Sequence, residues 1–204
     1  MKIGQAKSLV ILLHEIYGAN NHMDFMKEVM MQEGYDVITP NLLHRDPFPY
    51  DQEEEAYHYF INEVGFNGPK DEVKQIVAAN RMKYEKIYIM GFSVGATTAW
   101  ICSEFEVDGM VGFYGSRIRD YAEMEPGCPT LLFFPESERS FHVSDLIDKL
   151  KNKRNITVAA IHADHGFMNP FFRAYSRKHY LECMDKSLKF LKQIEEADST
   201  ILSG

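Results

Sequence analysis

Ile87-Tyr88-Ile89-Met90-Gly91-Phe92-Ser93-Val94-Gly95-Ala96 is the segment on which the reading of this chain turns. It begins as an apolar, strand-like run, passes through Gly-x-Ser-x-Gly and continues into helix-like sequence. A serine on so tight a strand-to-helix turn sits in strained backbone, and the residues two places to either side must be small; glycines at 91 and 95 supply that room. The following helix offers unpaired N–H groups where a developing oxyanion can use them, and Val94 N–H is one such donor. The bare five-residue pattern also occurs in merely structural turns, so the strand-turn-helix context carries the reading.

Five further apolar runs resemble the one at 87–90, lying at 9–13, 36–39, 109–113, 130–134 and 157–161. Each is nearly continuous rather than alternating, as a strand covered on both faces should be, and helix-like segments separate them. The pattern predicts an α/β fold: three layers, with helices on both faces of a mostly parallel sheet of about six strands. Asn21 with Asp24 reads as the start of a helix carrying Phe25, Val29 and Met30 on one face, ended by Gly34. Asp51 with Glu54 reads as a capping box. Gly68-Pro69 opens a helix with Val73, Ile76 and Val77 inward. A last helix, about 177–195, places Leu181, Met184, Leu188 and Leu191 at core spacing. With no repeat or linker, a single domain over 1–204 is expected, its core at about 8–193 and a loose tail at 198–204.

At 204 residues, with 45% hydrophobic and 25% charged residues, the composition is that of an ordinary globular protein. A formal net charge of −8 opposes nucleic acid in the absence of a basic patch. The basic stretch Lys151, Lys153 and Arg154 reads as cations at a helix C-terminus. The cysteines, Cys102, Cys128 and Cys183, are odd in number and widely spaced, which suits free thiols in a cytoplasmic protein. The apolar run near the start is too short to span a membrane, so no membrane partner is expected. Oligomeric state is not legible.

Serine needs a base to take its proton. The run at 157–161 empties into His162-Ala163-Asp164-His165-Gly166-Phe167, which delivers an imidazole to the sheet edge where Ser93 emerges. His165, in the loop, is favoured over His162 at the strand end. A metal held by the two imidazoles lacks further ligands of matching character, and no metal or other cofactor is expected. The imidazole requires a carboxylate partner, which the loop Pro135-Glu136-Ser137-Glu138-Arg139 can supply through Glu138, with Glu136 as the alternative. The loop after the first run, His14-Glu15-Ile16-Tyr17-Gly18, is placed to give a second oxyanion donor, Ile16 N–H. Glu15, at the end of an apolar strand, requires a function or a hydrogen-bonded niche.

Together these blocks resemble the dienelactone hydrolase family of α/β-hydrolases over roughly residues 8–193. The carriers are the Glu15-Ile16-Tyr17-Gly18 block, Gly34-Tyr35 with Thr39-Pro40-Asn41-Leu42, Gly91 to Gly95, and His165-Gly166-Phe167. The resemblance implies an α/β-hydrolase fold, Ser93 as nucleophile, His165 as base, Glu138 as acid, Ile16 and Val94 as oxyanion donors, and Glu15 in contact with the resting nucleophile. Three positions depart from the family pattern: serine stands where the founding enzymes have cysteine, glutamate where they have aspartate, and Asn169 where an arginine follows the histidine by four residues. Relatives with an N-terminal hairpin begin earlier, so a trimmed sheet is expected.

The chemistry so implied is hydrolysis of small esters, lactones or thioesters through an acyl-enzyme. A non-catalytic binder of a small ligand or partner on the same fold is the rival reading. Residues 50–66, with Tyr57, Tyr59 and Phe60, are expected to form a helical cap; Tyr17, Tyr57 and Phe167 are the candidate pocket residues, and Arg173 a candidate clamp for a substrate carboxylate. A fluorophosphonate probe separates the two readings. The hydrolase labels covalently at Ser93, and absence of label on folded protein favours the binder.

Overall fold

The computed structural model describes residues 7–138 and 141–201. All six predicted runs are strands: β1 Ser8–Leu13, β2 Asp36–Ile38, β3 Lys86–Phe92, β4 Gly109–Phe113, β5 Thr130–Pro135 and β6 Ile156–Ile161. They form one sheet in the order β2-β1-β3-β4-β5-β6, and every neighbouring pair is parallel. The helices between them are α1 Asn21–Gln32, α2 Glu53–Tyr59, α3 Asn67–Asn80, α4 Val94–Cys102, α5 Val143–Leu150 and α6 Arg177–Ile201.

The continuous apolar strands make sense once both faces are covered. Successive side chains of a strand point to opposite faces. Leu9, Ile11 and Leu13 pack with Val73 and Val77 of α3, Trp100 of α4 and Leu146 of α5. Val10 and Leu12 pack with Met23, Met26 and Met30 of α1 and Cys183, Met184 and Leu191 of α6. The result is the three-layer α/β-hydrolase architecture.

Strand order places the site. The chain steps from β1 outward to β2, then crosses back over β1 to β3, so the connections leaving β1 and β3 diverge and open a crevice at the carboxyl edge. Leu13 and Gly91 are register partners there. Beneath this edge Phe92, Phe113 and Phe133, in register on three adjacent strands, stack with centroids 5.1 and 5.2 Å apart. This ladder forms a stiff floor from which Ser93 and Tyr114 continue.

Several local expectations are corrected. Asn20, not Asn21, caps α1, its side chain accepting from His22 N at 3.0 Å. Gly34 lies just beyond that helix at φ 93. Asp51 makes no capping bond: Tyr50–Gln52 is a 3-10 turn that runs directly into α2, and Phe60–Val64 follows as a π-helical turn ending at Gly65. The cap segment is therefore three short pieces. Phe60 is core rather than cap lining, and Tyr59 packs on Phe48. In α6 the inward positions are Tyr180, Cys183, Met184 and Leu191, whereas Leu181 is exposed. This helix continues past residue 195 to Ile201, where a tail was expected, and residues 202–204 lie outside the described residues. Cys102, Cys128 and Cys183 are buried and unpaired.

A methyl group at Gly95 would collide with the main-chain carbonyls of Leu13 and His14. One at Gly68, in the first turn of α3, meets no atom within 4 Å beyond its own chain neighbours Asn67 and Pro69 and the backbone of its own helix. Gly95→Ala should therefore lose about 3 kcal/mol or more through overpacking, lowering Tm by roughly 6 °C or more. Gly68→Ala should stay within about 1 kcal/mol of the parent, because the helix propensity of alanine and the preference of a residue before proline for extended backbone oppose each other. Equal thermal shifts for the two variants would contradict this packing account.

Candidate active site

Ser93 sits at φ 55 and ψ −115, a left-handed conformation rare for a residue with a side chain. The sheet and α4 hold it there. Its N–H donates to Phe113 O at 2.9 Å, and its carbonyl accepts the N–H of Thr97 at 3.1 Å, within the first turn of α4. The flanking glycines are required by contact: a methyl at Gly91 would strike the Gly95 carbonyl, and Gly95 itself lies against the loop after β1.

The three sequence-separated groups converge. Ser93 Oγ lies 3.0 Å from His165 Nε2, and His165 Nδ1 lies 2.6 Å from Glu138 Oε1. With Nδ1–H donating to the carboxylate, Nε2 is free to accept the serine proton. The side chain of Glu138 is 11% exposed and that of His165 35%, so the pair is sheltered yet reachable. The backbone of Glu138 is tied by an isolated antiparallel bridge to Phe141. The alternatives pair elsewhere: Glu136 Oε2 contacts His162 Nδ1 at 2.8 Å on the surface. The two imidazoles that a shared metal would need are thus engaged separately. Among the described residues no group of three or more His, Cys, Asp or Glu is placed to hold a metal ion.

A cavity of about 880 Å³ opens on the trio, within the range of small-molecule sites. Ile16 and Val94 line it beside Ser93, and Val94 opens α4, so its N–H belongs to the unpaired first turn of that helix. Tyr17 and Tyr57 also line it. Phe167 does not: it is fully buried, its ring edge-on to Tyr114 at 5.4 Å, so it braces the site from behind. Arg173 reaches the cavity, but its guanidinium pairs with Glu53 at 3.3 Å.

The hydrogen bonds of Glu15 go to residues other than Ser93. Its Oε1 accepts from Tyr114 OH at 3.0 Å and its Oε2 from Asn169 Nδ2 at 2.8 Å, and no hydrogen bond joins it to Ser93. His22 Nδ1 stands 3.5 Å from Oε2, too poorly aligned to count as a hydrogen bond. Burial pushes the Glu15 carboxyl up, but the His22 ring, the Asn169 amide and the charge of His165 outweigh it and hold the group below the ordinary carboxylate value. Burial, and then the neighbouring Glu15 charge, raise the Tyr114 hydroxyl well above its ordinary value, keeping it a donor. Asn169 also donates to Tyr50 OH at 3.0 Å, and Asn20 to the same oxygen at 3.1 Å, which ties the cap segment to the loop after β6.

Tyr114, whose ring lies 4.8 Å from that of His165, escaped the sequence reading, as did Arg117, Arg119 and Phe172 on the cavity wall. The available signal was position: Tyr114 follows β4 directly at the carboxyl edge, where ligands bind in open α/β sheets. Burial holds the thiols of Cys102 and Cys183 up at about 12 and that of Cys128 at about 11, so none is a ready thiolate.

Fold and site geometry together define an α/β-hydrolase. A model of the dienelactone hydrolase family matches residues 2–195, and the chain belongs to that family of hydrolases. It is 45% identical over 168 residues to the uncharacterized protein YczH of Bacillus subtilis (strain 168), covering 80% of this chain and 82% of that one. A Saccharolobus solfataricus protein named provisionally as a carboxymethylenebutenolidase is 22% identical over 93% of this chain and 91% of its own. A crystal structure from Klebsiella pneumoniae subsp. pneumoniae MGH 78578, named provisionally as a dienelactone hydrolase, superposes with a TM-score of 0.79 at 16% identity, over 95% of this chain and 89% of that one. These structural likenesses speak to the fold. Among the described residues no helix is long and apolar enough to cross a membrane.

Acid stability gives a test of the buried groups. Burial pulls the His14 imidazole down to about 4, against the hydrogen bond and charge of Glu15. An unfolded chain protonates this ring near about pH 6.5, so acid favours unfolding: the contribution is complete above about 6.5 and lost as pH falls toward 4, on the order of 3 kcal/mol. The depressed Glu15 carboxyl acts in the same direction at lower pH. Urea titrations at pH 7 and pH 4.5 should show this slope, and His14→Gln should flatten it. An unchanged slope in the variant would remove His14 from the account.

Proposed function

We propose that this protein is a serine hydrolase that cleaves small carboxylic esters, lactones or thioesters through an acyl-enzyme on Ser93. One observation carries the reading: His165 Nε2 stands 3.0 Å from Ser93 Oγ while Nδ1 is engaged by Glu138 at 2.6 Å. Such a relay turns a weakly nucleophilic hydroxyl into an effective one.

In the proposed reaction Ser93 Oγ attacks the carbonyl carbon as its proton passes to His165 Nε2. Negative charge collects on the carbonyl oxygen, where the N–H groups of Ile16 and Val94 receive it. Glu138 stabilises the imidazolium and keeps the ring oriented. The tetrahedral adduct collapses, the leaving oxygen or sulfur takes the proton from His165, and the acyl group remains on Ser93. Water, deprotonated by the same imidazole, then attacks the acyl carbon; the bond to Ser93 Oγ breaks, Oγ takes the proton back from His165, and the acid leaves.

The cavity volume and the rings of Tyr17 and Tyr57 suit a small, partly apolar substrate. The relative from Saccharolobus solfataricus is named provisionally as a carboxymethylenebutenolidase, and a butenolide is a lactone, a bond within this class. Buried, unpaired cysteines suit a reducing compartment, so cytoplasmic operation belongs to the same proposal. The rival reading, a binder without chemistry, gives no account of why Ser93 is held in strained backbone facing an oriented imidazole.

Kinetics on an activated ester tests the assignment. Ser93→Ala should lower kcat on the order of a thousandfold or more. Glu138→Gln should cost up to about 10⁴-fold, because the imidazole loses its anionic support. Glu136→Gln, on a surface pair, should stay within a few-fold of the parent. A Glu136 variant as damaged as the Glu138 variant would reverse the choice of acid.

A further inference from the structure

The hydrogen bonds of His14 are dictated entirely by its neighbours. This residue is 1% exposed, and its two ring nitrogens meet partners of opposite kind. Leu42 N–H, which can only donate, lies 3.0 Å from Nε2. That nitrogen therefore carries no proton. Nδ1 carries it and donates to the carbonyl oxygen of Glu15 at 2.6 Å. The same carbonyl accepts the N–H of Gly18 at 3.1 Å, closing the tight turn over residues 15–18, with Gly18 at φ 90.

The Glu15 carbonyl and the Ile16 N–H belong to one peptide group. That group is planar and trans, so its oxygen and hydrogen point in opposite directions. Two donors on the oxygen thus fix the direction of the hydrogen. We propose that His14 is the positioning residue of the oxyanion site: its Nδ1–H, held in that tautomer by Leu42 N–H, pins the Glu15–Ile16 peptide so that Ile16 N–H faces the cavity at Ser93. This rests on the hydrolase reading above. Without the clamp the peptide is held by the turn bond alone. A flipped peptide presents a carbonyl oxygen to the developing negative charge and turns a stabilising dipole into a repelling one. Leu42 lies beyond β2 and the clamped loop leaves β1, so the clamp couples the two connections on that side of the crevice. The neutral ring that this geometry requires is also the form favoured by burial, which pulls His14 down to about 4.

The experiment compares the parent, Ser93→Ala, His14→Gln and His14→Phe in ester kinetics and in binding of a boronic acid that mimics the tetrahedral adduct. Glutamine offers an acceptor oxygen and a donor nitrogen, so His14→Gln should keep kcat within a few-fold. Phenylalanine offers neither: kcat and boronate affinity should fall together, on the order of 100-fold, with KM nearly unchanged. A folded His14→Phe protein with parental kcat and boronate affinity overturns the proposal. If that variant does not fold, long-range ¹H–¹⁵N NMR of the parent decides, since an Nε2–H tautomer of His14 at neutral pH is incompatible with the clamp and the Nδ1–H tautomer supports it. A parent with no Ser93-dependent hydrolysis fails the hydrolase reading itself, and the clamp's role with it. Parental hydrolysis with indifferent His14 variants fails the clamp alone.

Discussion

One close approach organises this molecule: the first turn of α4 lies against the carbonyls of Leu13 and His14, with no space for a side chain at Gly95. Because the helix is pressed onto the end of β1, the turn that joins β3 to α4 has no room to relax. Ser93 is held in the left-handed region at a cost of about 1–3 kcal/mol, and the surroundings over-determine it. The same contact lays the loop after β1 against the turn that carries Ser93. Ile16 and Ser93 therefore come from different strands yet share one rigid junction, set by the pairing of Leu13 with Gly91.

Charge at this junction is arranged by burial. Two carboxylates approach His165 from different niches. Glu138, on the loop after β5, bonds the ring directly and borders the cavity. Glu15, on the loop after β1, is buried and held by Tyr114 and Asn169. Tyr114 touches both systems, its ring on His165 and its hydroxyl on Glu15, so the buried anion and the imidazole keep a fixed separation. A charge in such a place is tolerated only when its lone pairs are met, and the donors around Glu15 meet them.

Asn169 holds two parts of the site together. Its amide turns inward, bridging Glu15 and Tyr50, and joins the loop after β6 to the start of the cap segment. The cation that reaches the cavity, Arg173, lies four residues further on and is balanced by Glu53 on α2. Asn169 is thus a neutral brace behind the pocket, and the cation at the cavity comes from a later position in the same loop.

The six strands, the nucleophile turn and the general placement of the histidine and acid loops were legible in the sequence, because apolar runs, glycine spacing and the residues that follow a strand are local properties. Helix caps were less so: Asn20 and Asn21 are equally good cap residues by chemistry, and only the backbone path chose between them. Which imidazole faces Ser93, which glutamate supports it, that Glu15 turns to Tyr114 and Asn169, and that Phe167 lies behind the pocket were decided by tertiary structure. The physical reason is that each is a distance between loops far apart in the chain. Strand order and register set those distances, and a slip of one residue would send every side chain of a strand to the opposite face.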